Sequence, residues 1–179
     1  MGPIEGRDHA AQRAGLTPAP SLPAVASAAP PSILTRMGTD AGEHDPDRRI
    51  VALTGKDALT FLQGLVTNDV LPLARAPGLV WTALLSPQGK YLADFFVANT
   101  GEALLLDLPE PLADATLRRL AMYRLRADVA MSAARVHARR GLGPVPAGAM
   151  PDPRHPALGW RGYTAVPGRA PAIDWDAIR

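Results

Sequence analysis

The chain has 179 residues, of which 47% are hydrophobic and 20% charged, and its formal net charge at pH 7 is +2. A chain of this length and composition can bury the core of one ordinary domain. The absence of cysteine excludes disulfides, thiolate-ligated zinc or iron–sulfur sites and a thiol nucleophile on this chain.

The first predicted region, residues 1 to 47, is a leader rich in alanine and proline. Residues 14 to 35 carry no charge, but Pro18, Pro23 and Pro30 interrupt them, which argues against a membrane-spanning helix. The leader has few large apolar side chains, so it cannot bury enough surface to offset its chain entropy. We therefore predict that residues 1 to 47 are disordered and that the protein has no membrane partner.

The next predicted region, residues 48 to 134, contains strands and helices in the order β-α-β-β-β-α-β. A β-rich run at residues 49 to 55 ends at Gly55, and a helix follows at residues 57 to 67 with Asp57 suited to its N-cap. Two strands flank a tight turn at residues 86 to 89, and a further strand follows a turn at residues 99 to 101.

A second helix at residues 110 to 125 and a strand at residues 127 to 133 complete this pattern. The order predicts the α+β fold class, with a mixed sheet on which the helices pack. Residues 135 to 179 are broken by glycine and proline. We predict that they form a linker and the start of a second segment.

A single carboxylate lies in the predicted strand that follows residue 90. Between Lys90 and Glu102, every residue is apolar or uncharged except Asp94. Strand alternation places Tyr91 on one face and Asp94 with Phe96 on the other, and both faces are apolar. Burial raises the pKa of a carboxyl group unless a donor or a cation compensates. Two interpretations stay open from the residues alone, namely a contact to a ligand and a solvated or arginine-paired carboxylate.

Arginines are concentrated between residues 118 and 140, where Asp128 is the only acid. Such a stretch can follow a phosphate backbone, but Tyr123 is its only aromatic residue, so base stacking is not indicated. A solvated helix face is the favoured interpretation, and direct nucleic-acid binding is not expected. The four histidines have no ligand-like spacing and predict no metal site. The arginines are Arg118, Arg119, Arg124, Arg126, Arg135, Arg139 and Arg140.

The chain also contains four segments that resemble, in order, those of the YgfZ-type folate-binding proteins: LTGKDALTFLQGLVTNDV, ALLSPQGKYLADFFV, RRLAMYRLRADVAM and PDPRHPALGWRG. These proteins belong to the superfamily of the glycine-cleavage T-protein, an aminomethyltransferase, and their mitochondrial members act in iron–sulfur cluster assembly. The resemblance covers the chain from residue 48 to its end. It implies a fold like the N-terminal domain of the T-protein.

The resemblance implies tetrahydrofolate, or a derivative of it, as the cofactor. It also implies a role in the assembly or repair of [4Fe–4S] clusters, including those of radical enzymes that thiolate tRNA. The implied partners are therefore folate and either iron–sulfur proteins or the cluster-assembly machinery. Of the two implied locations, the first is the bacterial cytoplasm and the alternative is the mitochondrial matrix.

The resemblance also assigns candidate folate-binding residues. T-proteins carry an acidic pair on the strand equivalent to residues 90 to 97, and one of the two acids contacts folate. Here Asp94 keeps one acid of that pair and alanine replaces the other. Asn68 and Asp69 match a Thr-Asn-Asp motif near the same cavity. The remaining candidates are Arg124 and Arg126, which are expected to meet the carboxylates of the folate tail through bidentate contacts.

Two other functions stay open beside the folate-binding accessory role, and so does the question of whether the chain is an enzyme. One is transfer of an aminomethyl-derived one-carbon unit to tetrahydrofolate, against which the missing second acid counts. The other is an RNA-binding module that uses the arginine-rich stretch. YgfZ-type proteins also carry a Lys-Gly-Cys-Tyr-x-Gly-Gln-Glu motif downstream of the last matching segment. This chain has no such motif, so the resemblance predicts that it lacks the C-terminal half of the family's fold.

Overall fold

A computed structural model describes residues 42 to 178 of the chain. Its larger sheet has five antiparallel strands in the order β3-β4-β5-β2-β6. The elements of this part are β2 (Arg48–Thr54), α1 (Ala58–Gln63), β3 (Gly78–Leu85), β4 (Tyr91–Asn99), β5 (Leu104–Pro109), α2 (Glu110–Tyr123) and β6 (Ala130–Ala133). This order is the predicted one, and the α+β fold class is confirmed. The strand pairings in this sheet are all antiparallel, so the sheet is not the predicted mixture of parallel and antiparallel pairs.

A second, four-stranded sheet completes the described part of the chain. Its strands are β1 (Glu43–His44), β7 (His137–Gly141), β8 (Met150–Pro151) and β9 (Trp160–Thr164), in the antiparallel order β1-β7-β9-β8. The sequence analysis did not predict this sheet. Its strands are short and separated by glycine and proline, and β7 carries two adjacent arginines, so the alternation of apolar residues that marks a strand is absent.

The new sheet bears on two of the predicted regions. β1 lies within residues 1 to 47, so the part of the predicted leader that is described, from residue 42, is structured. The predicted disorder of residues 1 to 41 concerns residues outside the described part of the chain. β7, β8 and β9 occupy the predicted linker. The division into domains at residues 47 and 134 stays a prediction.

The larger sheet is covered on both faces, which explains why its strands lack polar alternation. On one face, Phe95 and Leu106 pack with Leu62 of α1 and Leu120 of α2. On the other face, Ile50, Ala98 and Leu105 form a smaller cluster with two residues of the second sheet, Ala138 and Tyr163. A strand buried on both faces reads as a continuous apolar run.

A β-bulge interrupts the pairing of β3 with β4 near the start of β4. Leu84 pairs with Ala93 but Leu85 pairs with Tyr91, so Leu92 is the extra residue. A bulge reverses the side on which the preceding residues point. Leu92 therefore packs against the helix-side core, and Tyr91 reaches Asp94. The predicted placement of Tyr91 on the face opposite Asp94 is wrong for this reason.

The turn between β2 and α1 also differs from its prediction. Asp57 lies at the N-cap position of α1, but its side chain makes no capping hydrogen bond. Its carboxylate instead accepts a 2.9 Å hydrogen bond from the backbone N–H of Asp128. The same approach explains Gly55, because a Cβ there would lie 2.0 Å from the carbonyl oxygen of Asp128. Gly55 and Asp57 thus attach this turn to the loop that precedes β6.

A buried charge network joins the two sheets at Asp107 of β5, whose side chain is fully buried. Its carboxylate lies 2.5 Å from Nε of Arg48 and 3.1 Å from Nη1 of Arg161, and it accepts a 2.9 Å hydrogen bond from the hydroxyl of Tyr163. Arg161 also lies 3.0 Å from the carboxylate of Asp45. A buried charge is tolerated only when it is paired and hydrogen-bonded. These contacts meet that requirement for Asp107 across the interface between the sheets, whereas Nε of Arg161 is buried without a hydrogen-bond partner among the described residues.

The network also sets the protonation of its members. Burial raises the pKa of Tyr163 well above its usual value, and the adjacent charge of Asp107 raises it further. Burial acts to lower the pKa of Arg161, but Asp107, Tyr163 and Asp45 outweigh it, so that the pKa is raised. Tyr163 is therefore a neutral donor and Arg161 a fixed cation at physiological pH.

We expect Asp107→Asn to lower the free energy of unfolding by about 3 to 5 kcal/mol, because it leaves Arg48 and Arg161 buried without their shared anion. Urea denaturation of the purified chain measures this change. Asp114→Asn is the matched control, since Asp114 pairs with Arg49 at the exposed start of α2 and should leave the midpoint close to that of the wild type. Equal losses in the two variants would contradict the role assigned to Asp107.

Candidate functional site

A pocket of about 550 Å³ lies where residues of both sheets meet. Its lining is mainly charged, with four arginines and five aspartates, so it suits a polar ligand. The lining residues are Asp45, Asp47, Arg48, Asp94, Pro109, Pro111, Arg140, Arg154, Arg161, Pro171, Ile173, Asp174, Trp175 and Asp176. The volume falls within the range of about 300 to 1,000 Å³ that is typical of small-molecule sites.

Asp94 is half-buried in this pocket and is held by two aromatic donors. The indole Nε1–H of Trp81 donates to Oδ2 at 2.8 Å, and the hydroxyl of Tyr91 donates to Oδ1 at 2.5 Å. Trp81 lies on β3, two residues before Ala83, which pairs with Asp94 on β4. Tyr91 is available only because of the bulge at Leu92. Both oxygens of the carboxylate are thus fixed in direction.

The aromatic donors keep Asp94 ionised. Partial burial acts to raise its pKa, but the hydrogen bonds from Tyr91 and Trp81 and the charge of Arg48 outweigh burial, so that the pKa is lowered. The pKa of Tyr91 is raised, first by its hydrogen bond to Asp94 and then by burial. From sequence alone, the direction in which the pKa of Asp94 shifts depends on whether donors or cations compensate for burial. The structure shows those donors to be Tyr91 and Trp81.

An arginine-covered aromatic ring lies beside Asp94 on the same face of β4. The guanidinium carbons of Arg161, Arg154 and Arg48 lie 4.5, 4.9 and 5.5 Å from the centroid of Phe96. Cations over a ring face are attracted by its quadrupole. Arg154 is further held by Asp152, which accepts from its Nε at 2.9 Å and from its Nη2 at 2.7 Å. The three guanidinium groups around Phe96 therefore form one wall of the pocket and are fixed rather than free to rotate.

The last described residues form the opposite wall of the pocket. Oε2 of Glu43 accepts a 3.0 Å hydrogen bond from the indole of Trp175 and a 3.3 Å bond from the backbone N–H of Ile173. The guanidinium carbon of Arg140 lies 4.4 Å from the centroid of a Trp175 ring. Burial acts to raise the pKa of Glu43, but its hydrogen bonds and Arg140 outweigh burial, so that the pKa is lowered. An ionised Glu43 thus attaches this segment to β1.

Two of the predicted site residues, Asn68 and Asp69, lie in the loop after α1 and do not line the pocket. Nδ2 of Asn68 donates to the backbone carbonyl of Trp81 at 3.0 Å. Asn68 thus contacts Asp94 only indirectly, through Trp81. Oδ1 of Asp69 accepts a 3.0 Å hydrogen bond from the N–H of Leu71 and holds the following 3-10 turn. Asn68 therefore supports the strand that carries Trp81, whereas Asp69 shapes its own loop.

The other two predicted residues, Arg124 and Arg126, are exposed beyond the end of α2. Neither lines the pocket. Nη1 of Arg124 donates to the carbonyl of Val129 at 3.3 Å. The structure therefore does not bring them together with Asp94. The arginine-rich stretch also does not form one solvated face, since the side chain of Arg139 on β7 is buried and donates to the carbonyls of Val166 and Pro167.

The sequence reasoning missed the arginines that do line the pocket. Arg48 and Arg161 are positioned by Asp107, and this acid carries the same signal as Asp94, a lone carboxylate within the apolar run LLLDL. Arg154 lies in the PDPRHP segment that contributed to the family resemblance. Nothing in local sequence marks Arg140, because its placement depends on the pairing of β7 with β9.

Residues 42 to 178 contain neither a metal-binding cluster nor a membrane-spanning helix. No group of three or more histidine, aspartate or glutamate side chains there is arranged to hold a metal ion. No helix within the same residues has both the length and the apolar character needed to cross a bilayer.

The known proteins to which this chain is similar include three fungal proteins, each described as an iron–sulfur cluster assembly factor IBA57 homologue, mitochondrial. The chain is 29% identical to the Pyricularia oryzae protein over 148 residues, which is 72% of this chain and 37% of that protein. It is 31% identical to the Mycosarcoma maydis protein over 99 residues, 49% of this chain and 25% of that protein. The Neosartorya fischeri protein is 30% identical over 131 residues, 64% of this chain and 27% of that protein.

The chain therefore spans between a quarter and three-eighths of the length of these relatives. No protein-family model matches it. Among solved structures, the glycine cleavage system aminomethyltransferase T from Bartonella henselae is similar over 56% of this chain and 28% of that chain, with 17% identity and a TM-score of 0.48.

We expect Asp94→Asn to destabilise the chain by about 1 kcal/mol at pH 7, because two hydrogen bonds to a charged acceptor become bonds to a neutral one. A lowered folded-state pKa means that the carboxylate stabilises the fold above its unfolded value of 3.8 and loses this effect as the pH falls below it. The difference from the wild type should therefore shrink below pH 3.8.

Urea denaturation of both proteins at neutral and acidic pH measures this dependence. Tyr91→Phe removes one of the two donors to Asp94. In a Tyr91→Phe background, Asp94→Asn should therefore still destabilise the chain at neutral pH, but by less than it does in the wild type. A difference between wild type and Asp94→Asn that does not change with pH would contradict the lowered pKa.

Proposed function

We propose that this chain is a tetrahydrofolate-binding accessory factor in iron–sulfur cluster assembly, of the YgfZ type within the aminomethyltransferase superfamily. The three fungal relatives are named as assembly factors of this kind, which supports the cluster-assembly part of the proposal. Their names also include the word mitochondrial, which favours the mitochondrial matrix over the bacterial cytoplasm as the location.

The observation that carries the folate part is the ionised, oriented carboxylate of Asp94 in a pocket of suitable size. The pterin ring of folate presents an amino group and a ring N–H side by side, and these donors match a carboxylate acceptor. Each oxygen of Asp94 accepts one hydrogen bond within the protein, and a carboxylate oxygen has a further lone pair for a ligand. The proposal therefore places the pterin against Asp94.

The aromatic donors of Asp94 also suit a flat heterocycle. The side chains of Trp81 and Tyr91 are 40% and 59% exposed, respectively, although each is anchored through its polar atom. An exposed aromatic ring that cannot rotate offers a stacking surface at small entropic cost. Trp81 and Tyr91 thus supply stacking surfaces near the carboxylate that would bind the donors of the pterin.

The cations of the pocket suit the anionic tail of folate better than the two arginines chosen from sequence. Arg154 and Arg140 line the same pocket as Asp94, whereas Arg124 and Arg126 lie outside it. Arginine binds carboxylates through paired N–H groups. We therefore reassign the tail contacts to Arg154 and Arg140.

The chemistry of the site favours binding over catalysis. A general base works best with a pKa near the operating pH, and the pKa of Asp94 is lowered from an already acidic value. The chain contains no cysteine, so the proposed role is to assist proteins that hold the cluster. The proposed clients are [4Fe–4S] enzymes, including enzymes that modify tRNA.

A thermal-shift titration with tetrahydrofolate tests the binding proposal. Ligand at one hundred times its dissociation constant should stabilise the chain by about 2.7 kcal/mol. Asp94→Asn should weaken binding at least about tenfold, since it removes a charged hydrogen-bond acceptor. Arg154→Gln should weaken it too, whereas Arg126→Gln should not.

Asp47→Asn is the matched control, because Asp47 is an exposed carboxylate of the same pocket. The folate proposal fails if a folded wild-type sample shows no shift at millimolar ligand, or if Asp47→Asn weakens binding as much as Asp94→Asn does.

The cluster-assembly proposal has a separate test in the source organism. Deleting the gene should lower the activity of [4Fe–4S] enzymes and leave that of enzymes without a cluster unchanged. A plasmid encoding the wild-type chain should restore the activity, and one encoding Asp94→Asn should restore it less. Unchanged [4Fe–4S] enzyme activity after deletion would overturn this part of the proposal even if folate binds.

A further inference from the structure

An exposed surface that combines arginines with a few large apolar side chains lies at the end of α2, away from the pocket. We call residues 118 to 126 the α2 tip. Three of its large apolar side chains are exposed, Met122 by 63%, Tyr123 by 38% and Leu125 by 88%. Arg118 lies one helical turn before Met122, so the two share one face of α2. No residue of the α2 tip lines the pocket described above.

Leu125 is held outward by the backbone at a cost to the fold. The N–H of Ala127 donates to the carbonyl of Arg124 at 2.8 Å, so Leu125 is the first central residue of a tight turn. Its φ angle is +42°, in the region that glycine and asparagine adopt more readily than leucine. An exposed leucine in this conformation contributes little to folding. Its side chain is therefore available for a contact outside the chain.

The α2 tip is uniformly basic. Between Asp114 and Asp128 the sequence contains no acid, and it contains four arginines. Asp114 is itself paired with Arg49. The side chains of Arg118 and Arg126 make no hydrogen bond or ion pair with the other described residues, whereas Arg124 is partly engaged by Val129. The arginines thus make the α2 tip positive, and the nearest acid along the chain is Asp128, three residues after Leu125.

We propose that the α2 tip docks on an anionic lipid surface, with Leu125 and Met122 entering the acyl boundary and the arginines meeting lipid phosphates. Apolar side chains that project from a basic surface bind anionic bilayers in two ways: the apolar groups are buried in the bilayer, and the cations are attracted to the anionic lipids. Tyr123 fits the same arrangement, since its ring is amphipathic and suits the bilayer interface.

Two other anionic partners fit this surface less well. Single-stranded RNA is bound by stacking on aromatic side chains, but the most exposed side chain of the α2 tip is aliphatic. A protein partner would have to supply a shape-complementary pocket and would bury about 1,200 Å² or more in a stable complex. A bilayer needs no complementary shape, and a single turn of chain is sufficient to insert into it.

This inference goes beyond the expectation that the protein has no membrane partner. That expectation followed from the prolines in residues 14 to 35, which concern spanning helices. A peripheral contact through a turn is a different mode of membrane association and is compatible with the absence of a spanning helix in residues 42 to 178. It is also independent of folate, because no pocket residue is involved.

Vesicle co-sedimentation of the full chain tests the proposal. The probes are vesicles of phosphatidylcholine alone and of phosphatidylcholine with about one-third phosphatidylglycerol, at low salt where the screening length is long. We expect binding to the anionic vesicles only. Arg126→Gln should lower the partition coefficient about fivefold, and Leu125→Asn should lower it about tenfold.

Leu125→Asn also serves as its own folding control, because asparagine tolerates a positive φ. Its urea midpoint should equal or exceed that of the wild type. The matched controls are Leu142→Asn and Arg75→Gln, which change an exposed leucine and an exposed arginine outside the α2 tip. Both controls should bind anionic vesicles as the wild type does.

The proposal is overturned if the wild type does not bind anionic vesicles at low salt, or if it binds neutral vesicles equally. It is also overturned if the two controls lose binding as much as the α2-tip variants do. Unfractionated tRNA is the competing probe. If tRNA binds with the same dependence on Leu125 and Arg126 and the vesicles do not, the surface is a nucleic-acid site instead.

Discussion

The carboxylate of Asp107 connects the two sheets, and the geometry of the pocket depends on that connection. It is fully buried and receives Arg48 from its own sheet together with Arg161 and Tyr163 from the other. The two arginines are then carried over the ring of Phe96, where they form one wall of the pocket. A hydrophobic interface at the same place would hold the sheets together but would present no fixed cations to a ligand.

The main part of the fold could be predicted from sequence because its signals are local. β2 to β6 and the two helices follow from apolar runs, turn residues and a proline at the start of α2. The second sheet could not be predicted in this way. β7 has the sequence HARRG. Arg139 is buried and donates to backbone carbonyls in the segment after β9, and Arg140 is half-buried and contacts Trp175. Contacts of this kind appear only once distant segments have been brought together.

The candidate site shows the same division. Asp94 stands out by its isolation in an apolar strand, but only the family resemblance favours a ligand contact over a solvated or arginine-paired carboxylate. In the structure it lines the pocket. Asp107 is isolated in the same way, but no sequence motif distinguishes it. The protonation state of Asp94 could not be predicted from sequence, because the donors that lower its pKa come from another strand and from across a bulge. Arg124 and Arg126 follow only from residue type and the family resemblance, and neither lines the pocket.

The bulge at Leu92 has a consequence for how such a site can arise and disappear. It adds one residue to a strand whose remaining pairings with β3 are regular. Removing that residue would restore simple alternation and leave Tyr91 opposite Leu85, on the same face as Asp94. The hydrophobic core would change little, since Leu92 lies at its edge. The acidity of this carboxylate thus depends on how the strand accommodates Leu92, because a regular strand of the same length would turn Tyr91 to the other face and leave Asp94 with Trp81 alone.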